Sequence, residues 1–249
     1  MTAISGTTPT DGPVLQLVGV HKVYRTTEVE TSALTDVSLT VQAGEFLSVA
    51  GPSGCGKSTL LAIMGLLEPP TSGRVRVMGA EAAGLDAAGR ARMRGKHIGF
   101  VVQSFNLIDE LDVLDNVALP LRYRGVKPAE RSALAADALT KVGLGHRMRH
   151  HPSQLSGGQQ QRAAVARAIV GRPALVLADE PTGNLDSTNG AAIMDLLSAL
   201  HGEGTTIVLV THDPRYAGYA SREVAMQDGM LRLDTVAGSM SSSAVHSES

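Results

Sequence analysis

Glycine, lysine and hydroxyl residues occur together in one short segment of the first quarter of the chain. Residues 51–59 read Gly-Pro-Ser-Gly-Cys-Gly-Lys-Ser-Thr. A glycine, four residues and then Gly-Lys-Ser is the spacing of loops whose backbone N–H groups converge on phosphates. Lys57 is expected to reach the outer phosphates and Ser58 to bind Mg²⁺. The predicted nucleotide-binding residues of this loop are Gly51, Pro52, Ser53, Gly54, Cys55, Gly56, Lys57, Ser58 and Thr59. The alternative is a glycine-rich turn that happens to precede a helix.

Two adjacent acids follow an apolar run later in the chain. Residues 174–180 read Ala-Leu-Val-Leu-Ala-Asp-Glu, which predicts a buried strand that ends in two carboxylates. Because the carboxyl ends of parallel strands face the ligand crevice, these acids are expected beside the phosphates. Asp179 would then hold Mg²⁺, and Glu180 would be the general base that polarises the attacking water. An ordinary strand that ends at a polar turn is the alternative.

The elements that must position these residues alternate between short apolar strands and helices. Apolar strands that alternate with helices predict an α/β fold with a parallel sheet covered on both faces. One helix is expected from Lys57 to about Leu67, another over 189–201, and Pro128 is well placed to open a third. The predicted strands are 14–20, 37–41, 46–50, 74–78, 98–102, 174–178, 207–210 and 224–226.

A third motif identifies a family resemblance. Residues 155–162 read Leu-Ser-Gly-Gly-Gln-Gln-Gln-Arg and resemble the signature sequence of ATP-binding cassette (ABC) ATPases. The resemblance covers roughly residues 15–230. Its other elements also stand in the family's order: Tyr24, Gln103, the run Asn184-Leu-Asp186, and His212.

The resemblance implies a fold and a set of boundaries. The family has a P-loop NTPase (RecA-like) core with a parallel sheet, an antiparallel β lobe and an inserted helical lobe, here expected over about 104–160. One ABC ATPase domain is predicted for 13–233. The Thr/Gly/Pro-rich residues 1–12 and the Ser-rich residues 234–249 are predicted to be disordered, because they hold too little apolar surface to offset ordering entropy.

The resemblance also implies roles for individual residues. Tyr24 would stack on adenine, and Gln103 would join Ser58 and Asp179 in binding Mg²⁺. His212 would contact the terminal phosphate, so that Lys57, Glu180 and His212 form the catalytic set. In the family, two copies face each other head to tail, and each ATP lies between the loop of one copy and the signature of the other. The remaining nucleotide-binding residues implied are Ser156, Gly157, Gly158, Gln159 and Asp186.

Composition and charge narrow the possible partners. The chain has 22 basic and 24 acidic residues, so it has no overall charge suited to gripping nucleic acid, and no nucleic-acid partner is predicted. Cys55 is the only cysteine, which favours a reducing compartment. The apolar runs are too short for a membrane span. The expected location is cytoplasmic, peripheral on the inner face of the cell membrane through an integral membrane permease subunit.

Within the family, two segments narrow the function. Residues 103–108 and 181–187 look most like lipoprotein-release, macrolide-export and peptide-export ATPases. The predicted function is therefore hydrolysis of ATP to drive a separate membrane subunit, in export or force transmission. Two alternatives stay open: a regulatory ATP-dependent clamp that signals through a membrane partner, and an ABC ATPase of DNA repair or translation. The transported compound is not legible, since its contacts belong to the membrane subunit.

Three further features have two interpretations each. The basic run Arg90, Arg92, Arg94 and Lys96 is either a solvated face or a contact with a partner or anionic lipid. The apolar side chains within 105–108 either line a groove for a partner helix or pack in the helical lobe. Cys55, at the start of a predicted helix, is expected to react with maleimide and block ATPase activity, unless it is a small residue chosen only for space.

Overall fold

The computed structural model describes residues 12–25 and 30–236, which form two sheets and the helices packed on them. The strands are β1 (Pro13–Arg25), β2 (Glu30–Gln42), β3 (Phe46–Ala50), β4 (Ser72–Val77), β5 (Ala80–Glu81), β6 (Ile98–Val102), β7 (Leu175–Asp179), β8 (Ile207–Thr211), β9 (Arg222–Gln227) and β10 (Met230–Val236). The helices are α1 (Lys57–Met64), α2 (Ala87–His97), α3 (Val113–Tyr123), α4 (Pro128–Lys141), α5 (Gly157–Ile169), α6 (Ser187–Gly202) and α7 (Pro214–Ala217). Short 3-10 turns lie at Gly145–Arg147 and Pro152–Gln154.

The central sheet has six strands in the order β10-β9-β3-β8-β7-β6. All neighbours pair in parallel except β10, which runs antiparallel to β9 at the edge. Along β7, Leu175 and Leu177 belong to one buried apolar cluster, whereas Val176 and Ala178 belong to another. The sheet is therefore buried on both faces, as the unbroken apolar strands predict.

The second sheet is antiparallel, with the order β2-β1-β4-β5. Its buried side chains, among them Leu15, Leu17 and Val37, share a cluster with α1 and one face of the central sheet. The other face of the central sheet packs against α3, α4, α5 and α6. The predicted P-loop NTPase architecture with an antiparallel β lobe is therefore confirmed.

Helix ends follow their local signals closely, with one correction. Pro128 opens α4, and Asp112, Ser156 and Asp186 cap α3, α5 and α6 with their side chains. The predicted end of α1 at Leu67 is wrong, because the helix ends at Met64. Gly65 caps it, and the next residue turns to a φ of 56° that no helix continues through.

Four elements were not predicted from the pattern, namely α2, β10 and the short β5 and α7. The basic run forms α2, whose N-cap Asp86 accepts a hydrogen bond from the Gly89 N–H. β10 continues to Val236, so the predicted domain end at 233 lies inside a strand. That strand is anchored because Arg222 pairs with Asp234. The remaining residues of both predicted disordered tails, 1–11 and 237–249, lie outside the described residues.

Within residues 12–25 and 30–236, none of the helices combines the length and the apolar character that crossing a bilayer requires.

Candidate functional site at the carboxyl edge of the central sheet

The predicted chemical residues meet at one edge of the central sheet. The phosphate loop follows β3, His212 follows β8, Asp179 ends β7, and Gln103 follows β6. These four strands are consecutive neighbours, and their ends are level, since Ala50 pairs with Thr211 and Val102 with Asp179. The topology therefore places the four motifs side by side, although they span 162 residues of sequence.

The phosphate loop requires glycine at a crowded point of its backbone. Gly56 has a φ of 105°, and a Cβ there would lie 2.6 Å from the Ala33 carbonyl oxygen. Helix α1 begins directly after it, and no side chain caps its first turn. The N–H groups at the start of α1 are therefore available to an anion, and the helix dipole favours one there.

Lys57 is folded into this loop. Its buried ammonium donates hydrogen bonds to the carbonyl oxygens of Gly51 (2.7 Å) and Pro52 (2.8 Å). The positive charge is thus already held inside the loop, where phosphate oxygens would compete with those carbonyl groups for it.

Cys55 does not match the exposed thiol that the maleimide prediction requires. Its side chain is only 5% exposed and packs with the apolar cluster beneath the loop. A Cβ on Gly51 would lie 2.8 Å from its sulfur, so the space around it is tight. This burial favours the interpretation of Cys55 as a small residue chosen for space, and the expected block of ATPase activity by maleimide stays a prediction.

Asp179 lies partly buried at the end of β7. Burial raises its pKa above the ordinary carboxyl value, and the neighbouring charge of Glu180 raises it further. The ammonium of Lys57 lowers the pKa and partly offsets both effects. A carboxylate with a raised pKa beside a lysine is a group whose charge a bound cation would stabilise.

Glu180 occupies a backbone conformation that is unusual for a residue with a side chain. Its φ is 45°, in the left-handed region, where non-glycine residues pay a strain of order 1 kcal/mol. Its N–H donates to the Val210 carbonyl (2.9 Å), and its carbonyl accepts from the Gly183 N–H (3.0 Å). Both hydrogen bonds keep the backbone in place, so the direction of this side chain is over-determined.

The Glu180 carboxylate lies 2.7 Å from Nδ1 of His212. An ionised carboxylate only accepts hydrogen bonds, so Nδ1 carries the hydrogen and is the donor of this hydrogen bond. The histidine is mostly exposed, whereas the glutamate side chain is 18% exposed. The sequence analysis placed both residues in the catalytic set, and the structure brings them into direct contact.

Gln103 lies beside the segment that follows Glu180. Its Nε2 donates to Asn184 Oδ1, and Asn184 Nδ2 donates to the Gln103 backbone carbonyl, both at 3.1 Å. In the sequence, Asn184 stands out only as part of the run Asn184-Leu-Asp186. This contact joins residues 81 positions apart, a distance at which sequence spacing gives no signal.

The signature residues form the capped start of α5. Ser156 Oγ accepts from the Gln159 N–H (3.3 Å), and Gln159 Oε1 accepts from the Ser156 N–H (3.0 Å). Gly158 packs so closely on Asn189 that a Cβ would lie 2.4 Å from its Oδ1. The first turn of α5 therefore packs against the first turn of α6. There Asp186 accepts a hydrogen bond from the Asn189 N–H.

Asp186 uses its carboxylate as the N-cap of α6. Hydrogen bonds from the Asn189 backbone and side chain lower its pKa. Its predicted contact with nucleotide stays a prediction, as does that of Gln159.

Tyr24 is held by two neighbours that the sequence analysis missed. Its hydroxyl donates to Glu68 (2.8 Å), and the ammonium of Lys22 lies 5.0 Å from the ring centre. Lys22 also pairs with Glu68 at 3.0 Å. These contacts orient the ring, which is 39% exposed and keeps surface for an aromatic partner such as adenine.

Gln161 was also missed. It is fully buried on α5, and its Nε2 donates to the carbonyl oxygens of Pro181 (2.6 Å) and Val102 (3.3 Å). It thus ties the signature helix to the residues that precede Gln103 and follow Glu180. Gln161 lies at helical spacing from Ala164 and Ala168, on the buried face of α5. This spacing is the sequence signal that could have predicted its burial.

A glycine-rich loop at a helix start and an acid pair at the end of a parallel strand of the same sheet define a nucleotide-hydrolysing fold. A family model described as ABC transporter matches residues 34–183. The chain belongs to the ABC transporter family, and it is an ATPase cassette of that family.

Relatives with printed names support this assignment and differ in length. A macrolide export ATP-binding/permease protein MacB of Chlorobium luteolum is 48% identical over 222 residues, which make up 89% of this chain and 33% of that protein. The chain spans about a third of the length of the MacB relatives it matches. An uncharacterized ABC transporter ATP-binding protein of Thermotoga maritima is 47% identical and is matched over 93% of its length.

Two solved structures share the fold. Both are of the ATP-binding cassette MJ0796, one described as dimeric and one as a dimeric post-hydrolysis state bound to ADP and Pi. The structure bound to ADP and Pi is 41% identical with a TM-score of 0.81, and the other is 42% identical with a TM-score of 0.82. Each match covers 89% of this chain and 98% of the solved chain. The resemblance stated from the signature residues is therefore confirmed.

Proposed function

We propose that two copies of this chain clamp Mg-ATP between them and hydrolyse it to drive a separate membrane permease, in export or in force transmission. The contact that carries the proposal joins Glu180 to His212 at 2.7 Å, on a strained backbone at the end of β7. Such strain persists where the surrounding structure enforces it, and it is concentrated at functional sites.

The phosphate groups would bind at the start of α1. The free N–H groups of the loop and of the first turn would cradle them, and Lys57 would exchange its two loop carbonyl groups for phosphate oxygens. Tyr24 would stack on the adenine ring with the surface that it leaves exposed.

The residues around Asp179 suit Mg²⁺, because the donors are a carboxylate, the Ser58 hydroxyl and the amide of Gln103. Mg²⁺ prefers oxygen ligands and completes its shell with water and phosphate oxygens, where it neutralises developing negative charge. The raised pKa of Asp179 marks a carboxylate whose charge lacks full compensation within the chain.

Glu180 would accept the proton of the attacking water. His212 donates Nδ1–H to Glu180, which fixes the carboxylate and leaves Nε2 of the neutral ring as an acceptor for a hydrogen of the water; only the doubly protonated ring could donate to the terminal phosphate. The histidine is therefore a positioning residue for the base and, in addition, the predicted contact to phosphate.

Dimerisation would complete each site. The phosphate loop packs against Ala33 and Met226, whereas the signature packs against Leu185 and Asn189. The second helix start would therefore serve a nucleotide held by another copy, and the solved cassette with 41–42% identity is described as dimeric.

A large groove beside α2 fits the membrane partner. It has a volume of about 1080 Å³, and its wall includes Leu67 and the strongly exposed Tyr123. Arg92, Lys96 and Arg124 also line it, and none of the lining residues that the structure describes is acidic. An apolar segment of the permease that carries acidic side chains would be complementary to this wall.

The MacB relatives carry both an ATP-binding and a permease part according to their names, which supports a permease partner and export.

Leu107 packs on the core of the helical lobe, so the alternative of core packing applies to it. The groove is instead lined by α2 and α3, and the basic run supplies part of its charge.

The test is turnover by a Glu180→Gln variant. General-base catalysis contributes typically about 10²–10⁴-fold, so kcat should fall within that range while the affinity for ATP is kept. Glu130→Gln, an exposed carboxylate at the start of α4, is the control and should retain full turnover. Wild-type turnover by folded Glu180→Gln protein would show that Glu180 is not the general base.

A further inference from the structure

Asn184 and Gln103 form a closed pair of hydrogen bonds between two loops of the site. The Gln103 side-chain amide donates to the Asn184 carbonyl oxygen, and the Asn184 amide donates to the Gln103 backbone carbonyl, each at 3.1 Å. The pair joins the end of β6 to the segment that links Glu180 with α6. It is a direct contact between a predicted Mg²⁺ ligand and a residue to which no role has been given.

The backbone carbonyl decides how both amide groups are turned. A carbonyl oxygen only accepts, so Asn184 must present its NH₂ group to it and keep its oxygen on the other side. That oxygen also only accepts, so Gln103 must present its own NH₂ group in return. Gln103 Oε1 is therefore the atom that the pair leaves over, and it is the atom a cation would need.

Gly183 provides the room for this arrangement. A Cβ at that position would lie 2.7 Å from Gln103 Nε2, 2.9 Å from Cδ and 3.1 Å from Cγ. The φ of Gly183 is not in the left-handed region, so the position requires space and not an unusual backbone. Gly183 therefore leaves space for the Gln103 side chain, and Asn184 sets the orientation of its amide group.

We propose that Asn184 is a positioning residue that orients Gln103 so that Oε1 remains available to a divalent cation. This inference rests on the proposed role of Gln103 as a Mg²⁺ ligand. It assigns to residues 183–184 a function in metal binding within their own chain. The free Oε1 and the close contact with Gly183 are independent observations that agree with it.

The experiment measures binding of a non-hydrolysable ATP analogue by calorimetry, once with Mg²⁺ and once with EDTA. Asn184→Ala removes both hydrogen bonds and frees the Gln103 amide. The gain from Mg²⁺ is the factor by which Mg²⁺ raises the affinity for the analogue over that in EDTA. Residues that orient metal ligands typically contribute about 10–100-fold to metal affinity, so this gain should fall by roughly tenfold. Affinity in EDTA should not change, because the phosphate loop is untouched.

A matched pair of glycine variants tests the steric part. Gly183→Ala should reduce the gain from Mg²⁺ as Asn184→Ala does, because the new methyl group displaces the Gln103 amide. Gly202→Ala, at the end of α6, places its Cβ in open space and should leave both affinities unchanged.

Gln103→Ala separates the inference from the proposal on which it rests. If Gln103→Ala reduces the gain from Mg²⁺ and Asn184→Ala does not, the positioning role is overturned and the ligand role stands. If Gln103→Ala has no effect either, the ligand role itself is overturned, and the inference with it. The double variant should lose no more than Gln103→Ala alone. A lower melting temperature with an unchanged gain from Mg²⁺ would reduce the pair to a structural contact.

Discussion

Asp179 and Glu180 are adjacent in the chain, yet their surroundings prepare them for different tasks. Asp179 ends the strand, half-buried, with Lys57 as its cation. Glu180 leaves the strand through a positive φ and meets His212 instead. The change of backbone direction between them separates a candidate metal ligand from a candidate base.

The raised pKa of Asp179 predicts a cost in stability at neutral pH. A carboxyl group whose pKa is higher in the folded state destabilises that state as pH rises above its unfolded pKa, and has no such effect in acid. Asp179→Asn should therefore raise the melting temperature at pH 7, by about 2–4 °C per kcal/mol for a domain of this size. The gain should disappear as pH falls through the ordinary carboxyl range.

The control for this prediction is Asp137→Asn, an exposed acid on α4 for which the gain at neutral pH is not expected. Thermal unfolding of both variants between pH 4 and pH 7 provides the measurement. A melting temperature of Asp179→Asn that is lower than wild type at pH 7 would show that the carboxylate stabilises the free protein.

Residue types and motif spacing predicted the phosphate loop, the acid pair and the signature, because each chemistry needs fixed neighbours in sequence. The partners that orient these residues were not predictable in that way. Glu68 lies 44 positions from Tyr24, and Gln161 lies 59 positions from Val102. Only the packing of strands and helices brings such residues together.

At the scale of elements, α5 packs closely on β6 at Gly99. A Cβ on Gly99 would lie 2.2 Å from the Ala168 carbonyl oxygen, which is closer than any real contact. Gly99→Ala must therefore push the signature helix away from the sheet, and overpacking of this kind costs typically about 1–3 kcal/mol of stability. Urea unfolding should show that loss.

Gly95→Ala provides the comparison, since its Cβ meets nothing within 4 Å. It should leave the free energy of unfolding unchanged or slightly higher. Equal stability of the two variants would mean that α5 can shift without cost and that Gly99 does not fix its seat.

The order of the strands in the central sheet comes from the structure alone, but strands β3, β6, β7 and β8 themselves were predictable because their sequences are almost wholly apolar. Helix α2 was not, because its charged residues give little periodic apolar signal and its start depends on the Asp86 cap. β10 was missed because it gains its place from pairing with β9 and from the Arg222–Asp234 ion pair.

At the scale of the whole molecule, the groove beside α2 is the proposed binding site of the membrane partner. Reversing the charge of its exposed cations with Arg92→Glu and Lys96→Glu should abolish co-purification with the permease, because the acidic segment would be repelled. Turnover of the isolated subunit should not change. Lys127→Glu, an exposed cation that is not among the groove-lining residues, should retain the partner. Undiminished co-purification after both reversals would place the partner elsewhere.

The two proposed phosphate-binding helix starts, those of α1 and α5, would require a second copy of the chain. The phosphate loop and the signature pack against different neighbours, so one chain offers two half-sites. ATP that bridges two chains binds the dimer best, and it therefore stabilises that state.

The most direct measurement is the size of Glu180→Gln protein with and without ATP and Mg²⁺. With hydrolysis stalled, the account predicts a shift from monomer to dimer on a sizing column when ATP and Mg²⁺ are added. Ser156→Arg, which fills the second phosphate site, should undo the shift, whereas Ser153→Arg, exposed just before the signature, should retain it. Glu180→Gln protein that remains monomeric at saturating ATP, both alone and with its membrane partner, would contradict the sandwich.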